Sequence, residues 1–176
     1  MCAVAQLPDF FREYISLELS TDCLEVNGVY QFRNNENKTI EMNLFYPFPQ
    51  DAAYGNTNNI YAFETTADST INRLSKINSK GGLVRLIMKP RSEKTLYIGY
   101  VQKLLGNKAE YILTTTKKWN KALESSEIEL IVPLEFVVED ISYQASDTII
   151  SEGKTHYFVR KINFMPEKNF VVRFKK

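Results

Sequence analysis

Histidine is nearly missing from this 176-residue chain: His156 is the only one. A catalytic triad, a zinc site of the usual histidine type or an imidazole acid–base pair would each depend on that one side chain, which lies between Thr155 and Tyr157 in a strand-like run. His156 is therefore expected to be structural or on the surface. Only two cysteines are present, Cys2 and Cys23, and they leave a Cys-His couple without support. Charge of one sign is lacking too. Lys and Arg total 22 against 21 for Asp and Glu, giving a formal net charge of +1 with the signs interleaved, so no field marks out a polyanionic partner and nucleic acid is not expected. No apolar run approaches the ~20 residues that a membrane-spanning helix needs. Glycine-rich phosphate loops are absent as well: Lys80-Gly81-Gly82 and Gly106-Asn107-Lys108 are turn signals without P-loop or dinucleotide spacing.

What the chain does have is alternation. Aromatic content is 12%, carried by 11 Phe and 10 Tyr, and Val, Ile and Thr are spread throughout, a composition that favours strands. Ile15, Leu17 and Leu19 alternate with Ser16 and Glu18, and Leu24, Val26, Tyr30 and Phe32 alternate with polar neighbours, with Gly28 read as a bulge or twist point. Asn34-Asn35-Glu36-Asn37 supplies a turn, after which Ile40, Met42, Leu44, Tyr46 and Phe48 alternate again, so residues 26–49 read as a hairpin. Pro47 and Pro49 end regular pairing or mark a sheet edge, and a partner-facing ledge at Tyr46-Pro47-Phe48-Pro49 is the alternative use of that segment.

Further strand-like runs cover Ile60 to Phe63, Val84 to Met88, Leu96 to Val101, Tyr111 to Leu113, Ile128 to Val132, and residues 136–144, 154–162 and 169–174. Residues 50–59 read as loop. Helix is expected only in short pieces near 68–77, where Ile71, Leu74 and Ile77 recur every third residue, and near 116–123. Short strands parted by turns every 8 to 12 residues predict an all-β antiparallel sandwich. The Gly106-Asn107 turn signal divides it into two packed units, 7–105 and 108–176, or marks a turn within one continuous domain.

Candidate sites are sparse. Glu139-Asp140 are neighbours and so face opposite sides of a strand, and Glu127 and Glu129 share the solvated face opposite Ile128 and Leu130. The loop from Asp51 to Asn59 has a single carboxylate and no regular spacing for calcium. Trp119, beside Lys117, Lys118 and Lys121, is either the closing residue of a core or a stacking platform, and Trp119, Tyr54 and Tyr61 are the candidate ligand-stacking residues. Asn37-Lys38-Thr39 matches a glycosylation acceptor and agrees with an exposed turn. No catalytic, cofactor-binding or metal-binding residues are assigned. Ala3-Val4-Ala5 before Gln6 has the small-x-small form that ends an export signal, and the competing reading is an accidental match with Met1 as the true start. Export leaves Cys23 as a lone buried thiol, whereas a Cys2–Cys23 disulfide requires the N-terminus to be retained.

The segment VNGVYQFRNNENKTIEMNLFYPFP resembles the opening strands of immunoglobulin-like modules and, more weakly, of vault/inter-alpha-trypsin type domains. MKPRSEKTLYIGYVQKL is similar to the turn and late strand of secreted sandwich modules, and AEYILTTTKKWNKAL resembles uncharacterised exported prokaryotic proteins. These motifs imply an immunoglobulin-like sandwich and a secreted, periplasmic or cell-surface location, with the cytoplasm as the alternative; they transfer no catalytic residue. The expectation is a non-catalytic structural or protein-interaction module without a cofactor, its partner a protein. A carbohydrate or cell-surface ligand-binding module recognising a cell-surface glycan is the second reading, and a carboxylate hydrolase the third.

Overall fold

The computed structural model describes residues 7–176; Cys2, Ala3-Val4-Ala5 and Gln6 lie outside the described residues. Strands hold 67% of the chain and helix 4%, as an all-β layered protein requires. The first half forms β1 (Asp9–Leu19), β2 (Cys23–Asn34), β3 (Ile40–Pro47), β4 (Tyr54–Thr65), β5 (Thr70–Asn72), β6 (Leu74–Asn78), β7 (Gly81–Met88) and β8 (Ser92–Leu104). The second half forms β9 (Lys108–Tyr111), β10 (Leu123–Pro133), β11 (Val137–Ile141), β12 (Asp147–Ser151), β13 (Lys154–Phe164) and β14 (Phe170–Lys175), with one 3-10 turn over Thr114–Trp119.

Eight strands make one sheet in the order β12-β13-β10-β1-β2-β8-β4-β5, and two three-stranded sheets, β11-β14-β9 and β3-β7-β6, contribute to the same core. Alternation explains the layering. Ile15, Leu17 and Leu19 of β1, Val26 and Tyr30 of β2, Leu96 and Ile98 of β8 and Ile128 and Leu130 of β10 are all buried and meet Val84, Leu86 and Met88 of β7 and Phe170, Val172 and Phe174 of β14. Every pairing is antiparallel except β1 with β10, which run parallel from Arg12↔Ser125 to Glu18↔Ile131.

The backbone corrects several expectations, among them residues 50–59, which read as loop but enter β4 at Tyr54. The hairpin over residues 26–49 is instead a crossover between sheets: β2 pairs with β1 and β8, while β3 pairs with β7. Alternation in two consecutive strands is the same whether they pair edge to edge or face each other across a core, so the pattern does not choose. Asn34 does. Its buried side-chain amide donates to the carbonyls of Lys38 and Lys89, both at 2.8 Å, and its Oδ1 accepts from the Glu36 N–H at 2.9 Å, fixing the crossing. Gly28 is no bulge, because register runs through it on both sides; it makes room for Tyr30, whose hydroxyl lies 2.1 Å from where a Cβ would stand.

The helix expected near 68–77 is replaced by β5 and β6. The Arg73 N–H donates to the Ala62 carbonyl and the Arg73 carbonyl accepts from the Arg85 N–H, both at 2.8 Å, so neighbouring strands satisfy this backbone better than a single helical turn would. Strands from both sides of residues 105–108 share one sheet and contribute to one core. Gly106-Asn107 is a turn inside that unit, with the Leu105 N–H bonded to the Ala53 carbonyl and the Asn107 carbonyl to the Phe174 N–H. The expected helical piece near 116–123 is the 3-10 turn at Thr114–Trp119, stopped by Asn120 in the left-handed conformation with φ 53°.

Candidate functional site

Side chains of β1, β2, β3 and β9 and of the 3-10 turn line a half-open cavity of about 350 Å³. Phe10, Phe32 and Trp119 form one wall, with the indole centroid 5.8 Å from Phe10 and 5.5 Å from Phe32. Met42, Leu44 and Tyr46 of β3 form another. The left-handed Asn120 ends the turn directly after Trp119, and buried Thr116 anchors the turn.

A β-bulge prepares the floor. Register between β1 and β2 shifts between Phe10 and Arg12, so Phe10 pairs with Phe32 and Glu13 with Tyr30. Phe10 and Glu13 both line the cavity as a result, and Phe11 instead lies beneath the Arg33 guanidinium, 4.1 Å from its ring centroid. Glu13 occupies the inward phase of Ile15, Leu17 and Leu19 and is only 6% exposed. Its Oε1 accepts a 2.7 Å hydrogen bond from the Ser126 hydroxyl, supplied by the register partner on β10. Burial pushes its carboxyl up to about 7, with the Ser126 hydrogen bond pulling the other way.

Beside it stands a chain of phenols. The Tyr30 hydroxyl is 2.8 Å from that of Tyr46 and 2.7 Å from that of Tyr111, linking β2 to both small sheets. Burial raises all three above the ordinary phenol range, so they stay protonated and neutral. The site is thus a largely aromatic cleft with neutral hydroxyls and one buried carboxyl, and the exposed Lys118 also lines it.

The three candidate stacking residues are not brought together. Trp119 lines the cavity. Tyr54 is buried elsewhere, its hydroxyl donating to Glu110 at 2.9 Å and its ring lying under the Lys108 ammonium. Tyr61 is on the outer face of the large sheet, covering Gly99 and donating to Asn27 at 2.6 Å. Nor does the 46–49 segment form a ledge: the Tyr46 hydroxyl points to Tyr30, and Phe48 is 1% exposed. His156 lies on the outer face with its Nδ1 2.8 Å from Glu129, which Tyr14 also hydrogen-bonds, and Glu127 pairs with Arg160 there. Glu139 pairs with Lys175 and Asp51 with Lys108. No cluster of three or more His, Cys, Asp or Glu side chains suited to a metal ion occurs among the described residues. Residue-type motifs missed Glu13, Phe10, Tyr30 and Tyr111; the available signal was a glutamate standing at an inward position two residues before Ile15.

No protein-family model matches the chain, and no curated protein matches it. Solved structures do. The fold is similar to that of a "putative nutrient binding protein" from Legionella pneumophila, with a TM-score of 0.68 at 12% identity over 95% of this chain and 66% of that one. It is also similar to an M1 zinc metallopeptidase from Deinococcus radiodurans, with a TM-score of 0.53 at 10% identity over 94% of this chain and 42% of that one. This chain therefore spans just under two thirds of the first protein and less than half of the second. At such identities the likeness is one of fold.

Proposed function

We propose that this chain is a non-catalytic binding module that takes a small, largely apolar ligand into the cavity beside Trp119. The cavity itself carries the reading. Ligand pockets are clefts of a few hundred Å³ lined mainly by apolar and aromatic side chains, and this cleft of about 350 Å³ has that size and lining. The three phenols and the carboxyl supply the few orienting polar groups such pockets use. Similarity in fold to the Legionella protein supports a binding role and says nothing of the ligand.

Action outside the cytoplasm belongs to the same proposal and is supported by Ala3-Val4-Ala5; N-terminal sequencing from the native host tests it. A protein-interaction role is the second reading, favoured by the edge strand β12 and its neighbour β13, where Ile150 is 69% and Ile162 81% exposed.

Trp119 is the chain's sole tryptophan, so its fluorescence reports the cavity wall directly. Titration with small aromatic probes is expected to change that signal saturably, with one site per chain, and Leu44→Trp, which fills the chamber, is expected to abolish binding measured by calorimetry. Absence of any saturable response in the unaltered protein overturns the proposal.

A further inference from the structure

We infer that the ligand of this cavity carries a primary ammonium group, held against the Glu13 carboxylate while its apolar body lies along Trp119 and Phe10. The inference rests on the cavity being a ligand site and adds the ligand's chemical class.

Glu13 stands where the alternation of β1 calls for an aliphatic side chain, and an unpaired carboxyl in such a place costs free energy that valine or leucine would not. Among the described residues, its one hydrogen-bond partner is the neutral Ser126 hydroxyl, on Oε1. Oε2 has no hydrogen-bond donor among them, and no Lys, Arg or His forms an ion pair with Glu13. Lys118 lines the cavity without reaching ion-pair distance.

The titratable groups that face Glu13 from the surrounding elements are Tyr30 of β2, Tyr46 of β3, Tyr111 of β9 and Tyr143 after β11, all phenols raised above their usual range. Among the buried groups around Glu13 the carboxyl is the one that ionises near neutral pH, and its charge is negative; the exposed Lys118 also lines the cavity but forms no ion pair with it. An ammonium supplies what the site lacks: a positive charge for Oε2 and donors for the phenol oxygens, with aromatic faces around it that favour a cation. Anionic ligands are disfavoured by the same carboxylate.

Three probes of one shape separate the possibilities: 2-phenylethylamine, 2-phenylethanol and 3-phenylpropionate. Each is titrated at pH 8 into the full chain and into Glu13→Gln, with Trp119 fluorescence and calorimetry as readouts. The amine is expected to bind the unaltered protein at least tenfold more tightly than the alcohol, with the carboxylate weakest. In Glu13→Gln the amine's advantage is expected to vanish while the alcohol still binds, which shows that the chamber survives the substitution. Equal binding of amine and alcohol by the unaltered protein overturns the ammonium assignment and leaves the cavity reading standing. Failure of all three probes to bind overturns both.

Discussion

Replacing Glu13 by glutamine should reveal how much the buried carboxyl costs the ligand-free fold. Burial raises this carboxyl from 4.5 to about 7, so between those values the folded chain keeps a proton that the unfolded chain has released. The stability owed to the neutral form is complete below 4.5 and is lost as the pH rises through about 7. The gap between the two values, at about 1.4 kcal/mol for each factor of ten in proton affinity, corresponds to about 3 kcal/mol. Glutamine is neutral throughout, and its carbonyl oxygen can still accept the Ser126 hydrogen bond that Glu13 takes at 2.7 Å. The two proteins are therefore expected to match near pH 4, with the glutamine protein about 3 kcal/mol more stable at pH 8. Urea unfolding followed by Trp119 fluorescence from pH 4 to 8 measures the difference, and every other titrating group cancels in it. A difference that stays flat across this range, or a glutamine protein weaker at pH 8, refutes the reasoning.

Two other substitutions probe the frame around the cavity. Gly28→Ala would set a methyl 2.1 Å from the Tyr30 hydroxyl, which is held between Tyr46 and Tyr111; a loss of about 1–3 kcal/mol in chemical denaturation is expected, and an unchanged midpoint would show that the phenol chain yields freely. Glu64→Gln removes the charge that Arg73 and Lys94 approach at 2.6 Å each, and about 3 kcal/mol should be lost at neutral pH. Burial pushes the Glu64 carboxyl up, but those two partners hold it below the ordinary range, so the wild-type advantage should be present above that range and disappear as the pH falls through the acid region.

The sequence announces the strands more clearly than their partners. The periodicity of Ile15, Leu17 and Leu19 fixes which face of β1 is inside, and the same holds for Val84 to Met88 and Ile128 to Val132. It is silent on whether β2 meets β3 at its edge or across a core, because both require the same alternation; that choice lies in the hydrogen bonds of Asn34. Ile71, Leu74 and Ile77 suggested a helix since a three-residue spacing ignores what neighbouring strands offer the Arg73 backbone. β12 was illegible for a further reason: Ile149 and Ile150 are adjacent and both exposed, so this edge strand shows no alternation.

The site was half legible. Trp119 was identifiable as the chain's one tryptophan, whereas Tyr54 and Tyr61 were chosen by residue type and lie on other surfaces. Glu13 carries no sequence motif, being a lone carboxylate. Its meaning comes from the phase of its neighbours and from a bulge that also turns Phe10 inward.

The parallel pairing of β1 with β10 sets when the cavity can be complete. Glu13 and Ser126 are separated by 113 positions, so the cavity floor joins two segments distant in the chain, of which β1 is made well before β10. Until β10 arrives, β1 has a free edge beside β2, and contacts this distant in sequence must close a long loop before they stabilise anything. A nascent or proteolysed chain ending near residue 105 would carry Phe10, Glu13, Tyr30 and Tyr46 yet lack Tyr111, Trp119 and the serine beneath the carboxyl. The cavity is therefore complete only once β10, β9 and the 3-10 turn have docked against β1 and β2, so its walls assemble from segments far apart in the chain.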